Sequence, residues 1–376
     1  MITRQFPIVL PSVYPLEEIY DLNKIAFFDI ETTGLSADTS FLYLIGVIYY
    51  QNQSYHLIQW FSEHMKEESL LLCSFFNFLA DYDVLFHYNG NGFDLPFLLK
   101  KCSQLHLDYS FDGIKSIDLY KKISSYKKIL QLKSYRQKAI EEFLRIKRED
   151  IFDGGDLIGV YQSYLGKKRY ETLLKARNPE LLVQEQTESE GLLHQLFLHN
   201  EDDLKGLVQI SLLLYLDDLF EKPVHILKTQ VLGQTLHISF QTAASLPFKI
   251  EYHHELLSLV ADQNQASLTI SIYEGELKYF YDNYRDYYYL PAEDSAIHKS
   301  LASYVDKEHR KKATPSNCYT RKTGTFAPQF DPVITPYLKE HHQDKLSYVE
   351  IHMDYLLKED HLERYVAHIL SSIRSR

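Results

Sequence analysis

Three runs near the start of the chain, Ile25–Ile30, Phe41–Tyr50 and Tyr55–Phe61, are aromatic and β-branched and are separated by short polar turns. They predict an antiparallel meander of three strands. Glu67–Leu79 then changes period: Leu70, Leu71, Phe75 and Phe78 fall at helical spacing, and Val84–Tyr88 returns to a short apolar run that reads as a buried strand. Three strands, a helix and a strand predict a mixed sheet covered by helices. Leu132–Ile146 and the tract after Lys167-Lys168-Arg169 read as helical, Asn178-Pro179 as a turn and Gln184–Glu190 as a polar linker. Leu192–Leu216 contains no proline and keeps a strong helical period. The pattern breaks at Pro223. Beyond it Thr235–Phe240, Phe248–Tyr252, Ser267–Tyr273 and Leu277–Tyr281 read as short strands and Tyr355–Ile373 as an amphipathic helix. The expected organisation is α/β over residues 1–222, followed by a smaller α+β domain over residues 223–376.

Composition narrows this picture. A chain of 376 residues with 45% apolar content has room for about two cores. Met1–Leu22 is interrupted by Pro7, Pro11 and Pro15 and has no basic segment ahead of an apolar one, so it resembles neither a signal peptide nor a membrane anchor. The expectation is a cytoplasmic protein without membrane attachment. Cys73, Cys102 and Cys318 are widely spaced, which indicates neither a disulfide framework nor a zinc site. A formal net charge of −11 argues against a general nucleic-acid coat. It leaves room for a local basic track, and acids gathered to hold metal ions lower the sum as well.

Three stretches carry candidate chemistry. Asp29-Ile30-Glu31-Thr32-Thr33-Gly34 ends an apolar run; strand alternation puts Asp29 and Glu31 on one side, where they can share a cation, and Ile30 on the other. Solvated acids at a strand end are the plainer reading. Asn89-Gly90-Asn91-Gly92-Phe93-Asp94-Leu95-Pro96 allows a tight turn into a helix, with Asp94 either its N-cap or a metal ligand. In Leu192–Leu216 one face carries Leu196, His199, Asn200, Asp203, Leu207 and Ile210, with Glu201 and Asp202 off the stripe. A carboxylate on that inner face needs a partner such as a cation unless the helix start is solvated.

Together, Asp29-x-Glu31, Asp94 after Asn-Gly-x-Gly-Phe, and His199-x-x-x-Asp203 resemble the signature of the DEDD 3′–5′ exonucleases of the ribonuclease-H-like superfamily. The closer resemblance is to bacterial ribonuclease-H-like proteins of the YprB type. It extends over roughly residues 23–216 and includes Asp118-Leu119, Leu132-Lys133-Ser134-Tyr135 and Arg148-Glu149-Asp150-Ile151. It implies that Asp29, Glu31, Asp94 and Asp203 hold two Mg²⁺ or Mn²⁺ ions, one activating water and the other stabilising a leaving oxygen. His199 would then orient or deprotonate the water. The histidine subclass usually has four residues between its histidine and the last Asp and the tyrosine subclass three; here there are three. His199 is thus expected in the place of the water-orienting tyrosine, with its role as base left open, and a hydrogen-bonded helix histidine is the plainer alternative.

Between the second and third motifs lies a basic stretch: Lys115, Lys121, Lys122, Lys127, Lys128, Lys133, Arg136, Lys138, Arg145, Lys147 and Arg148, interleaved with Tyr120, Tyr126 and Tyr135. Such a mixture tracks a phosphate backbone while rings stack on bases; a solvated helix face is the alternative. Thr32, Asn89, Asn91, Lys127, Lys128, Lys133 and Arg136 are the expected nucleic-acid contacts. In the second domain, Tyr279–Tyr289 and the cluster Lys307, Arg310, Lys311, Lys312, Arg321 and Lys322 read as strand core or as a second nucleic-acid platform. The expected function is hydrolysis of single-stranded DNA ends. The alternatives are a nucleic-acid-binding or structural protein on the same fold, or an RNA-directed or structure-specific nuclease.

Overall fold

A computed structural model describes residues 1–11, 13–152, 154–177 and 187–375. The expected turn at 178–179 and the first part of the expected linker, 184–186, lie outside the described residues. The chain divides into two compact units, one of residues 1–127 and 132–214, the other of residues 128–131 and 215–376.

The first unit contains β1 (Ile2–Ile8), β2 (Ile25–Thr32), β3 (Leu42–Gln51), β4 (Ser54–Phe61), α1 (Glu68–Leu79), β5 (Val84–His87), α2 (Asp94–Gln104), β6 (Lys115–Asp118) and α3 (Leu119–Ser124). A short α4 (Lys127–Leu130), of which only Lys127 belongs to this unit, precedes α5 (Gln137–Phe143), α6 (Gly154–Arg177) and α7 (Glu188–Ile210). The sheet order is β1-β4-β3-β2-β5-β6. The β2–β3–β4 meander and β1 are antiparallel, whereas β5 and β6 join in parallel. The mixed sheet is therefore as the apolar pattern predicts, with two added edges. Pro7 is tolerated in β1 because an edge strand can spare one donor, and β6 is too short and polar to announce itself.

Alternation in β2 sorts the two faces. Ala26, Phe28 and Ile30 pack with Leu71, Phe75 and Leu98 of α1 and α2, burying one side of the sheet. On the other side Tyr43 and Phe61 meet Tyr161, Leu196 and Phe197 of α6 and α7. Asp29 lies opposite Gly46, and Gly46 opposite Gln59. A Cβ on Gly46 would overlap Asn200 Oδ1 and approach Leu204 Cδ1 to 2.5 Å. The glycine is thus what lets α7 lie directly over the acids. Gly46→Ala should lower stability by about 1–3 kcal/mol, read as a lower melting temperature; an unchanged melting temperature would refute the close packing.

Leu132–Ile146 is not one helix. Residues 132–136 lie outside any helix, and helicity is confined to Gln137–Phe143 because Arg136 takes an extended conformation and Arg145 a positive φ of 58°. The final helix of this unit starts earlier than expected, at Glu188. A capping box formed by Thr187 and Glu190 fixes that start.

The second unit holds α8 (Tyr215–Glu221), β7 (His225–Leu232), β8 (Thr235–His254), β9 (Leu257–Ser271), β10 (Tyr273–Phe280), β11 (Tyr287–Leu290), β12 (Ser295–His298) and α9 (Lys299–Ala302). After these come β13 (Lys311–Lys312), β14 (Tyr319–Gln329), β15 (Ser347–Glu350) and α10 (Glu359–Ser375). Three small antiparallel sheets result, ordered β7-β8-β9, β10-β14-β15 and β12-β11-β13. The two strands expected at Thr235–Phe240 and Phe248–Tyr252 are one. Pro247 falls where the β8–β9 register shifts, and an irregularity of this kind accommodates proline without ending the strand. In α10, Leu362, Tyr365, Val366, Ile369 and Ile373 are buried at helical spacing.

The aromatic run of this unit is largely structural. Tyr273 and Tyr279 pack on Leu277, Phe326 and Leu338, and Tyr281 stacks on Tyr287. Arg321 pairs with Asp294 and Glu276, and Lys322 with Glu350. Two cations of the expected platform are thereby neutralised within the protein. No helix among the described residues is long and apolar enough to cross a membrane.

Candidate functional site

The end of β2 presents Asp29 and Glu31 to the inner face of α7, as strand alternation requires. Asn200 Nδ2 donates to Asp29 Oδ2 at 3.0 Å, while Gln59 Nε2 donates to Asn200 Oδ1 at 2.9 Å. The amide is therefore fixed from both ends and Asp29 keeps its second oxygen. One helical turn separates His199 from Asp203, and their side chains meet: Nε2 lies 3.2 Å from Asp203 Oδ2 and 3.8 Å from Glu31 Oε1. Glu31, His199 and Asp203 offer ligand atoms that all lie within 4.8 Å of one another, making this triad a possible acidic metal site.

Asp94 arrives from the opposite helix layer. It is the first residue of α2 and not its N-cap, which is Phe93, so the capping account of this carboxylate does not hold. The loop before it is held by buried His87. Nδ1 accepts the Gly90 N–H at 3.0 Å, leaving Nε2–H to donate to Ser116 Oγ at 2.7 Å; Ser116 Oγ in turn donates to Asn91 Oδ1. Burial lowers His87 to about 4, which keeps the ring neutral and able to accept. A Cβ on Gly90 would come within 2.6 Å of that ring. Asn89, at φ 58°, donates its N–H to Asp118 Oδ1. Asp118 also caps α3.

Electrostatics set these acids apart from ordinary surface carboxylates. Loss of water raises Asp29 well above its usual range, with the charges of Glu31, Asp203 and Asp94 adding to the effect. Glu31 is raised well above its usual range in the same way, by burial and then by Asp203 and Asp94. Asp94 is pushed up to about 7, chiefly by burial and against backbone hydrogen bonds from its own N–H and that of Ile30. Asp203 goes the other way: burial alone would raise it, but the His199 hydrogen bond and the Arg148 charge hold it below its ordinary value. His199 is raised, because Asp203 and Asp150 outweigh the opposing effect of burial.

These shifts predict the stability of the metal-free protein. A carboxyl whose folded pKa is raised binds its proton more tightly when folded, so its stabilisation is complete below about pH 4 and is lost as pH rises through about 7. For Asp94 the loss is on the order of a few kcal/mol. Chemical denaturation in chelator should show stability falling between these limits, and Asp94→Asn should flatten the slope. A slope unchanged in that variant would refute the assignment.

The acids on α7 need support that the sequence pattern assigned elsewhere. Asp202, expected off the inner stripe, is buried and accepts the N–H groups of Glu149 and Asp150 at 2.6 and 2.8 Å. Arg148, expected on the basic phosphate track, points inward: it pairs with Glu141 at 2.8 Å and with Asp203 Oδ1 at 2.6 Å. Asp150 Oδ2 accepts from His199 Nδ1 at 2.6 Å. Glu141 is buried and would overlap a Cβ on Gly206. The only trace of this arrangement in the sequence is the charged run Arg148-Glu149-Asp150 beside Ile151, and nothing local says that it turns inward.

The expected nucleic-acid contacts are not gathered in one place. A cleft of about 560 Å³ is lined by Asp29, Glu31, His199 and Asp203 together with Ser134 and Arg136. Exposed Arg136 thus stands at the acids. Lys133 is exposed but does not line the cleft, and Lys127 sits over the rings of Tyr120 and Tyr135 at 5.5 and 5.2 Å. Lys128 belongs to the second unit. Tyr126 is 2% exposed and cannot stack on a base. Thr32 donates its hydroxyl to Gly34 O at 2.8 Å, Asn91 accepts from Ser116, and Asn89 is exposed.

Comparison with known proteins places this arrangement. A DNA polymerase of Ostreid herpesvirus 1 (isolate France) is 39% identical over 51 residues, which is 13% of this chain and 3% of the polymerase. The family B DNA polymerase of the archaeon Pyrobaculum calidifontis aligns over 70% of this chain and 35% of its own, at 16% identity and a TM-score of 0.31. The chain therefore spans a minor part of either protein. The profile of the RNase_H superfamily matches residues 26–215, from β2 through the end of α7 and just beyond. With the six-stranded mixed sheet and the acids on β2, α2 and α7, this chain belongs to the RNase_H superfamily.

Proposed function

We propose that this chain is a divalent-metal-dependent 3′–5′ exonuclease of the DEDD kind, nearest to YprB-type proteins, that hydrolyses phosphodiester bonds at single-stranded DNA ends. One observation carries the reading. Glu31, His199 and Asp203 offer ligand atoms within 4.8 Å of one another, and beside them Asp29 and Glu31 are raised by burial and by neighbouring carboxylates, an arrangement that disfavours the ionised acids until a cation joins them. Carboxylate oxygens suit Mg²⁺ or Mn²⁺. Asp29, Glu31, Asp94 and Asp203 would hold two such ions, which when bound supply an acidified water and stabilise a leaving oxygen.

The remaining roles fall to groups around the cleft. His199 Nε2 faces the carboxylates and orients, or takes a proton from, the attacking water. Arg136 steers the phosphate backbone into the cleft. The region from residue 223 selects substrate or partner, and the protein works in the cytoplasm. Neutralising Lys133 and Arg136 together should weaken DNA binding and reduce the slope of log affinity against log salt by up to about two. An unaltered slope would show that both are merely solvated.

The test is incubation of the full chain with end-labelled single- and double-stranded DNA and RNA, with Mn²⁺ and with chelator. A ladder shortened from the 3′ end of single-stranded DNA, absent in chelator, is expected; internal cuts or an RNA preference would replace the exonuclease assignment. A second reading, a non-catalytic nucleic-acid-binding protein, is favoured by the engagement of both Asp203 oxygens by Arg148 and His199. Binding of DNA without Mn²⁺ uptake or hydrolysis would establish it.

A further inference from the structure

We propose that Asp150 is a positioning residue that fixes the ring of His199 with Nδ1–H turned away from the acids and Nε2 turned toward them. The proposal rests on the metal-dependent reading of the site for its consequence in catalysis, though not for its geometry. An ionised carboxylate only accepts hydrogen bonds, so the 2.6 Å contact between Asp150 Oδ2 and His199 Nδ1 places the proton on Nδ1. The ring held in this way turns Nε2 toward Asp203 and Glu31, at 3.2 and 3.8 Å. Asp150 approaches Nδ1, whereas Glu31 and Asp203 approach Nε2.

Asp150 is itself held in place. Its side chain is 2% exposed, and Oδ1 accepts the Phe152 N–H at 3.1 Å. The peptide groups of Glu149 and Asp150 are fastened to Asp202 on α7, one turn from His199 on the same helix. Arg148 reaches Asp150 at 3.5 Å and Asp203 at 2.6 Å. One short segment is thus tied to α7 at Asp202, His199 and Asp203. A ring held by a carboxylate on one nitrogen presents the other in a fixed direction, which is how such pairs orient a histidine toward a metal or its bound water. Without that acceptor the ring loses both its tautomer and its register with Glu31.

Asp150→Asn separates positioning from packing, because asparagine keeps the size of the side chain and an oxygen for the Phe152 N–H. It can also present an N–H to Nδ1 and so reverse the tautomer. Asp150→Asn should lower hydrolysis or Mg²⁺ affinity by about 10- to 100-fold with an unchanged circular dichroism spectrum, and Asp150→Glu should recover part of the loss. The readout that packing would not move is the imidazole ¹⁵N spectrum of His199 in the full chain labelled with ¹⁵N-histidine, recorded with and without Mg²⁺. Wild type should show a protonated Nδ1, and Asp150→Asn should change the Nδ1 and Nε2 signals. Unchanged His199 signals in Asp150→Asn, in both conditions, would overturn the proposal. Absence of hydrolysis in the wild-type chain would instead count against the nuclease reading, since the ¹⁵N comparison does not depend on it.

Discussion

Asp29→Asn is expected to abolish metal-dependent hydrolysis while leaving the metal-free protein at least as stable as the wild type. The two halves of this result have one cause. In the absence of a cation the Asp29 carboxyl is raised well above its ordinary range by loss of water and by Glu31, Asp203 and Asp94, so the site already favours a neutral side chain there. Asparagine supplies one and can still accept the hydrogen bond from Asn200. Under the proposed metal-dependent reading a bound cation would reverse the balance, because the charge that was unfavourable would become a ligand. Losing one carboxylate from such a site would remove several kcal/mol of transition-state stabilisation, a fall of about 10³-fold or more in rate.

Asp203→Asn should fall as far in activity but differ in stability. Its carboxylate is held below its ordinary value, the ion pairs to His199 and Arg148 outweighing burial, so neutralising it leaves Arg148 with less compensation and destabilises the fold. Rates on a labelled oligonucleotide, Mn²⁺ calorimetry and denaturation in chelator would decide the matter. Full activity in Asp29→Asn would remove Asp29 from the site, and equal destabilisation by the two substitutions would contradict their opposite electrostatic settings.

His199→Ala is expected to lose about 10²-fold in hydrolysis, the scale of a positioned acid–base group. The resemblance to the tyrosine subclass, whose spacing to the last Asp this chain shares, predicts that tyrosine should serve at this position. The tertiary structure alters that expectation, since His199 uses both nitrogens: Nδ1 for Asp150 and Nε2 for Glu31 and Asp203. Tyrosine has one hydroxyl and a longer reach, so it cannot satisfy buried Asp150 and face the acids together. His199→Tyr should therefore be impaired nearly as severely as His199→Ala. Substantial Mn²⁺-dependent activity in the tyrosine variant would show that orientation of water, and not the pairing with Asp150, is what the position requires. Full activity in the alanine variant would return His199 to a structural role.

Much of the first unit follows from local chemistry. Continuous apolar runs made β2, β3, β4 and β5 legible, strand alternation put Asp29 and Glu31 on one side of β2, and helical period put His199, Asn200 and Asp203 on one face of α7. These are short-range consequences of period, which a sequence carries completely. Segments whose stability comes from tertiary partners were not legible in this way. The polar edge strand β6, the non-helical stretch ahead of α5 and the continuation of β8 through Pro247 each depend on a neighbour that local propensity does not contain.

The same division runs through the site. The sequence by itself determined that Asp29 and Glu31 share one side of β2 and that His199 and Asp203 share one face of α7, because period fixes both. Only the tertiary structure decided what holds them. Arg148 counts as one more cation in a basic stretch until packing buries it between Glu141 and Asp203, and Asp202 reads as solvated until it receives two peptide N–H groups from a segment about fifty residues earlier. A charge has the same identity in the chain wherever it goes. Whether it faces water, phosphate or another charge is set by desolvation and by the partners that the fold brings to it, and those partners are remote in sequence.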